Sequence, residues 1–204
     1  MAAVDQFKVT LHGKGTHAAK PELGRDPIVA LTSIVNSLQT IVSRNVDPQA
    51  VVVLSVTHIS AGNTWNVLPE TASFEGTVRS FSKAGRRVAK QRFMEIVKAG
   101  AATFDVTAEI EWIKGPDVVN NDAQLTPLVA AETAQFARVV RPVPSTTGED
   151  FAFFSQRIPS VFAFVGSHGT SDWHHPDLQL DDQALPTGIK FFYYNALNLL
   201  AKLR

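Results

Sequence analysis

Residues 7–42 read FKVTLHGKGTHAAKPELGRDPIVALTSIVNSLQTIV, and the change of hydrophobic period inside this stretch decides the fold of the first half of the chain. Phe7, Val9 and Leu11 alternate with Lys8, Thr10 and His12, a period of two that gives a strand one apolar face. Gly13, Gly15, Pro21 and Gly24 interrupt it as a loop. From Pro27 the period lengthens: Ile28, Leu31, Ile34, Val35, Leu38, Ile41 and Val42 share one face at helical spacing. Asp26 suits the cap of that helix, and Pro27 suits its first turn.

Outward from there, apolar alternation predicts a second strand over 51–59 and a third over 72–81, after Leu68-Pro69. A helix near 84–99 is expected to bury Ala89, Phe93, Ile96 and Val97. A closing strand follows through Phe104, Val106, Ala108, Ile110 and Trp112. Residues 6–113 thus read as a complete β-α-β-β-α-β unit with two helices on one side of a four-stranded antiparallel sheet, the ferredoxin-like arrangement. That topology leaves the second strand at an edge. Val51-Val52-Val53-Leu54 carries no charge there, which fits either an ordinary buried strand or a dimer seam made by strand addition.

Beyond Gly115-Pro116 the habit changes. A helix is expected over 124–137, then a proline-rich turn at 141–144. Gly148-Glu149-Asp150 opens a segment carrying Phe151, Phe153 and Phe154. Residues 161–165 (VFAFV) read as a short strand covered on both faces. The final helix, 185–203, is apolar around much of its circumference. Few strands accompany so much apolar helix surface, so 114–204 read as the closing half of an α/β domain whose opening half precedes Met1. The class is α/β, with an α+β first unit.

Composition excludes some functions. Lys+Arg 19 against Asp+Glu 19 gives no long-range attraction to nucleic acid or anionic lipid. No segment reaches the roughly 18 apolar residues of a membrane span. The start lacks the basic and apolar regions of a secretory signal. Cys 0 removes disulfide and thiolate chemistry. The expectation is a cytoplasmic protein without a nucleic-acid or membrane partner.

His174 and His175, in SDWHHP (171–176), offer half a metal site. A catalytic metal usually needs three protein ligands plus an open position, and the other histidines (His12, His17, His58, His168) are scattered. Adjacent histidines in extended backbone point opposite ways, which favours one ligand rather than two. His17 lies on a glycine-bearing loop, as an exposed or structural side chain or as a functional one. Asn66 suits an Asx turn or substrate hydrogen bonds. Arg79 shares a strand face with Glu75 and Thr77, for a solvated ion pair or for a fork gripping a carboxylate. Glu149 and Asp150 suit the opening of a helix or metal ligation.

The strings GKGTHAAKP (13–21), DPI (26–28), LQTIVSRNVDP (38–48), NVLPETASFEGTVR (66–79), GEDFAFF (148–154) and WHHPDLQLDDQALP (173–186) carry a resemblance across nearly all 204 residues. In this order they resemble the metal-dependent amidohydrolase and peptidase family that includes hippurate hydrolase, N-acyl-amino-acid amidohydrolases and plant auxin-conjugate hydrolases. The resemblance implies a lid, or dimerisation, domain at 6–113 and the C-terminal part of an α/β metallohydrolase catalytic domain at 114–204. The N-terminal catalytic part, with its Cys-Gly-His-Asp type ligand motif and Glu-Glu pair, is absent. His174 resembles the C-terminal metal ligand, whereas His175 is not implied to bind. His17 resembles the lid histidine that crosses a dimer to support the oxyanion. Asn66 and Arg79 resemble lid residues facing the substrate carbonyl or carboxylate. Glu149 and Asp150 match a signature near the site without an assigned role. Thr16 stands where glycine is common, and Asp182 where glutamate is common.

By the same resemblance, the intact protein hydrolyses the amide bond of N-acyl amino acids or related small amides as a homodimer joined through the lid. Its cofactor is a divalent metal, two ions of zinc, manganese, cobalt or nickel, activating water for a glutamate base. This chain alone is expected to bind metal poorly and to be inactive. The alternative is a noncatalytic dimerising fragment, or a paralogue with an incomplete metal site. A nucleic-acid module on the ferredoxin-like sheet is disfavoured by the charge balance and by the absence of an aromatic-basic string.

Overall fold

A computed structural model describes residues 1–202. The chain packs as two compact units, Met1–Val118 with Pro144–Asp150, and Val119–Val143 with Phe151–Arg204. It is a mixed α/β protein with antiparallel sheets.

The first unit contains β1 (Ala3–His12), β2 (Thr16–His17), α1 (Pro27–Leu38), β3 (Val52–Ala61), β4 (Val67–Leu68), β5 (Thr71–Ser80), α2 (Lys83–Thr103) and β6 (Thr107–Lys114). The main sheet runs β3-β5-β1-β6, every neighbouring pair antiparallel. β2 and β4 form a separate small ribbon. Alternation settles which face is covered: Phe7, Val9 and Leu11 of β1 and Ala72, Phe74 and Val78 of β5 are buried with residues from both helices. Phe7 lies 4.5 Å from Phe93 of α2 between ring centroids and 6.2 Å from Phe74, so one aromatic cluster ties helix to sheet. Gly76 makes room for it, since a Cβ there would meet the Phe7 ring at 2.5 Å and the Ser55 carbonyl oxygen at 2.0 Å.

The first helix is shorter than its apolar spacing predicts. Asp26 caps it, Oδ1 accepting from the Ile28 and Val29 amides, and Pro27 occupies the first turn. It ends at Leu38, and a π-helical turn, Ile41–Asn45, carries Ile41 into the core. Ile28 and Val42 are left exposed, because the covered face is set by Ala30, Leu31, Ile34 and Leu38. The closing strand starts later than expected. α2 runs on to Thr103, and the chain reverses through Asp105 (φ 52°) before β6 begins.

A buried ionic cluster joins the ends of the unit. Arg86 of α2 donates from Nε and Nη2 to both carboxylate oxygens of Asp5, at 2.8 and 2.7 Å. It also donates to the Val4 and Gly115 carbonyls and pairs with Asp117. The Asp5 hydrogen bond is the leading cause that holds the guanidinium above its ordinary pKa, against the opposing effect of burial.

The second unit contains α3 (Leu125–Thr133), α4 (Ala152–Ser155) and α5 (Ala184–Lys202). The strand expected over 161–165 is not formed. A strand needs a neighbour, and none lies beside it among the described residues of this unit. Instead the Asn121 carboxamide occupies Phe162 on both sides, accepting from its amide at 2.8 Å and donating to its carbonyl at 2.9 Å. The helix expected over 124–137 stops at Thr133, with Asp122 accepting from the Gln124 and Leu125 amides at its start. The final helix begins at Ala184, and Leu203 of the expected span lies outside the described residues. No helix among the described residues is long and apolar enough to cross a membrane.

Candidate active site

His17 ends β2, and Asn66 immediately precedes β4, the partner of β2 in the ribbon. Thr16 pairs with Leu68 and His17 with Val67, and the Ala18 amide donates to the Asn66 carbonyl at 3.0 Å. The ladder thus makes His17 and Asn66 diagonal neighbours in backbone. His17 is exposed. Its carbonyl closes a turn by accepting from the Lys20 amide at 2.8 Å, and its Nδ1 accepts from the Ala19 amide at 3.1 Å. Asn66 does not use its side chain for an Asx turn: Oδ1 accepts from the Thr64 hydroxyl at 3.2 Å. Its Nδ2 is therefore the free end, with no partner among the described residues.

Arg79 ends the polar face of β5. The ion pair with Glu75 weighed from the sequence does not form, because Glu75 is engaged by Lys8 at 3.4 Å. Thr77, the third residue of that face, donates to the Asp5 carbonyl. The Arg79 guanidinium makes no hydrogen bond or ion pair with the described residues. Gly148 packs beside it: a Cβ on Gly148 would stand 3.3 Å from Arg79 Nη1 and 2.2 Å from Val4 Cγ2. The Gly148-Glu149-Asp150 stretch belongs to the first unit, where the Ala2 amide donates to the Ser145 and Thr147 carbonyls. α4 begins only at Ala152, with Phe151 rather than Glu149 or Asp150 at its N-cap position.

In the second unit a chain of rings leads to the paired histidines. Phe151 meets Phe162 at 5.4 Å, Phe162 meets Phe164 at 5.2 Å, and Trp173 stacks on Phe164 at 5.8 Å. Trp173 anchors the loop, and the next residue, His174, takes a left-handed conformation (φ 65°) that histidine tolerates better than most side chains. The two imidazoles have different surroundings. His175 Nδ1 accepts from the Asp177 amide at 3.2 Å and lies 3.7 Å from the Asp177 carboxylate. His174 is exposed and has no such partner among the described residues. No three His, Asp or Glu side chains converge among the described residues. Two shallow hollows, each about 300 Å³, lie elsewhere, one beside Asn120 and Ile158 and the other beside Glu132 and Tyr194.

Sequence reasoning missed the supporting groups: the Ala19 amide behind His17, the Thr64 hydroxyl behind Asn66 and the Gly148 turn beside Arg79. Thr64 had a signal, a hydroxyl two residues ahead of the chosen asparagine. The other two had none, because a backbone amide and a glycine carry no chemistry in a string.

Residues 7–198 match peptidase family M20/M25/M40. The chain belongs to this family. It is 46% identical over 202 residues to an N-acetyl-L-cysteine deacetylase of Bacillus subtilis, covering 98% of this chain and 48% of that protein. It is 36% identical over 204 residues to an N-acetyldiaminopimelate deacetylase of Leuconostoc mesenteroides, covering 96% and 50%. Among solved structures, the Bacillus subtilis YXEP protein, described as a dinuclear metal-binding peptidase of the M20 family, superposes with a TM-score of 0.80 at 32% identity, covering 98% of this chain and 51% of that one. The chain spans about half the length of the relatives it matches.

Proposed function

We propose that this chain supplies the lid and the C-terminal catalytic part of a metal-dependent amidohydrolase that cleaves N-acyl amino acids. One observation carries the reading: the 46% identity to a named N-acetyl-L-cysteine deacetylase extends over 98% of the chain. The reading divides the chain at 6–113 and 114–204. The first part is a ferredoxin-like lid, supported by the order β3-β5-β1-β6 and by the two helices packed into one core.

His17 donates a hydrogen bond to the scissile carbonyl and to the oxyanion it becomes. Asn66 offers Nδ2 to a substrate carbonyl, and Arg79 offers its unpaired guanidinium to the substrate carboxylate. His174 is the metal ligand of this chain, and His175, tied to Asp177, is not. Glu149 and Asp150 stand near the site through the turn that packs on Arg79. One imidazole does not make a metal centre by itself. Zinc, manganese, cobalt and nickel all accept such nitrogen and oxygen ligands, and the dinuclear description of the YXEP protein supports two ions. Two lids pair through the β3 edge in a homodimer, and the assembly is cytoplasmic.

A chimera tests this directly, with the chain replacing the matching part of the Bacillus subtilis deacetylase. Metal-dependent release of acetate from N-acetyl-L-cysteine is expected. His17→Ala should lower kcat by about 10²–10³ with metal content unchanged, the usual loss for one oxyanion donor. His174→Ala should lower metal content itself. A folded, metal-loaded chimera that cleaves none of a panel of N-acyl amino acids would sink the assignment.

A further inference from the structure

We propose that the backbone amide of Ala19 fixes the tautomer of His17, so that the imidazole carries its proton on Nε2 and presents that N–H outward as a donor. The inference deepens the proposed function, and rests on it only for what the donor acts upon. A neutral imidazole has one protonated and one bare nitrogen, and the bond made at one decides the other. The Ala19 amide can only donate. It lies 3.1 Å from His17 Nδ1, so that nitrogen holds the lone pair and Nε2 holds the proton.

The geometry comes from the ribbon. β2 pairs His17 with Val67, and the Ala18 amide is fixed to the Asn66 carbonyl. The Lys20 amide then closes the turn onto the His17 carbonyl, and that closure brings the Ala19 amide under the ring. The contact orients the ring as well as its proton. The same device recurs at His175, whose Nδ1 accepts from the amide two residues on.

The consequence is a division of labour. A histidine serving as general base needs its lone pair turned toward the reaction, and here the lone pair is consumed by the backbone. His17 therefore polarises an acceptor oxygen and takes no proton from water. The ligand class it fits is an oxygen with lone pairs, such as an amide carbonyl. Ala19 is a positioning residue that acts through its main-chain N–H, a donor that every substitution at 19 except proline keeps.

The test uses the ¹⁵N-labelled 204-residue chain and long-range ¹H–¹⁵N correlation of the imidazoles, at a pH where they are neutral. The folded chain should show His17 as one tautomer with its bare nitrogen at Nδ1. The same chain in urea should show the averaged mixture of a free imidazole. A folded His17 protonated on Nδ1, or the same mixture in both states, overturns the proposal. The functional arm compares His17→Gln with His17→Asn in the chimera, because glutamine carries its amide nitrogen near the place of Nε2 and asparagine near that of Nδ1. Glutamine should retain about tenfold more kcat/KM, within the range one oxyanion donor is worth; the reverse order overturns the donor role. An inactive chimera beside a fixed tautomer removes the enzymatic reading and upholds the tautomer.

Discussion

Arg86 ties together the two ends of the first unit. Its fork meets both oxygens of Asp5, and the Val4 and Gly115 carbonyls take further hydrogen bonds. Removing one partner of such a pair leaves a buried charge uncompensated. Arg86→Ala is therefore predicted to cost about 3–5 kcal/mol, read from urea unfolding. Arg86→Lys should recover only part of it, because a single ammonium cannot reproduce the planar fork. At Gly76 the effect is steric: Gly76→Ala drives a methyl into the Ser55 carbonyl and the Phe7 ring. A loss of about 1–3 kcal/mol or more is expected, and a thermal midpoint equal to the parent would contradict the packing described.

At the level of elements, β3 is an edge strand whose alternate residues differ in kind. Leu54 is buried in the helix-covered core, whereas Val53 is 37% exposed. A lysine at 54 buries an unpaired ammonium and should destabilise the unit by about 3–5 kcal/mol whether or not the edge pairs with anything. A lysine at 53 keeps its charge in solvent, so Val53→Lys is the substitution that tests strand addition. Under the homodimer proposal, sedimentation should show Val53→Lys weakening a concentration-dependent dimer while the urea midpoint stays near the parent value. Equal dimerisation with and without the charge would remove β3 from the seam.

For the whole chain, the governing fact is how much apolar surface α5 leaves in water. Ile189 is 68% exposed, Phe192 74% and Leu200 61%. Apolar area on this scale drives association that need be neither two-fold nor finite. The 204-residue chain is predicted to scatter light increasingly with concentration. The pair Ile189→Asp and Phe192→Asp should suppress that scattering without changing the unfolding of the sheet-bearing unit. A parent chain that stays monodisperse at high micromolar concentration would contradict this.

The sequence by itself determined what depends on neighbours in the chain. Period two in Phe7-Val9-Leu11 and longer spacing after Asp26-Pro27 are local physics, so β1 and the start of α1 lie where the string puts them. His17, Asn66, Arg79 and His174 were legible only as side chains able to donate or ligate, and the roles proposed for them came from the family resemblance rather than from local pattern. What needed partners distant in sequence was not legible. Residues 161–165 have the composition of a strand, but a strand exists only beside another, and Asn121 takes the Phe162 backbone instead. The stop of α1 at Leu38 and the late start of β6 follow from how long the core rewards each helix, which apolar spacing alone does not measure. The Gly148 turn beside Arg79 was likewise decided by tertiary structure, and the Ala19 and Asp177 amides, though only two residues on from His17 and His175, take their direction from the turns that hold them. In each case a turn or a backbone amide does the positioning, and the direction of a backbone amide is set by the fold rather than by the letter at that position.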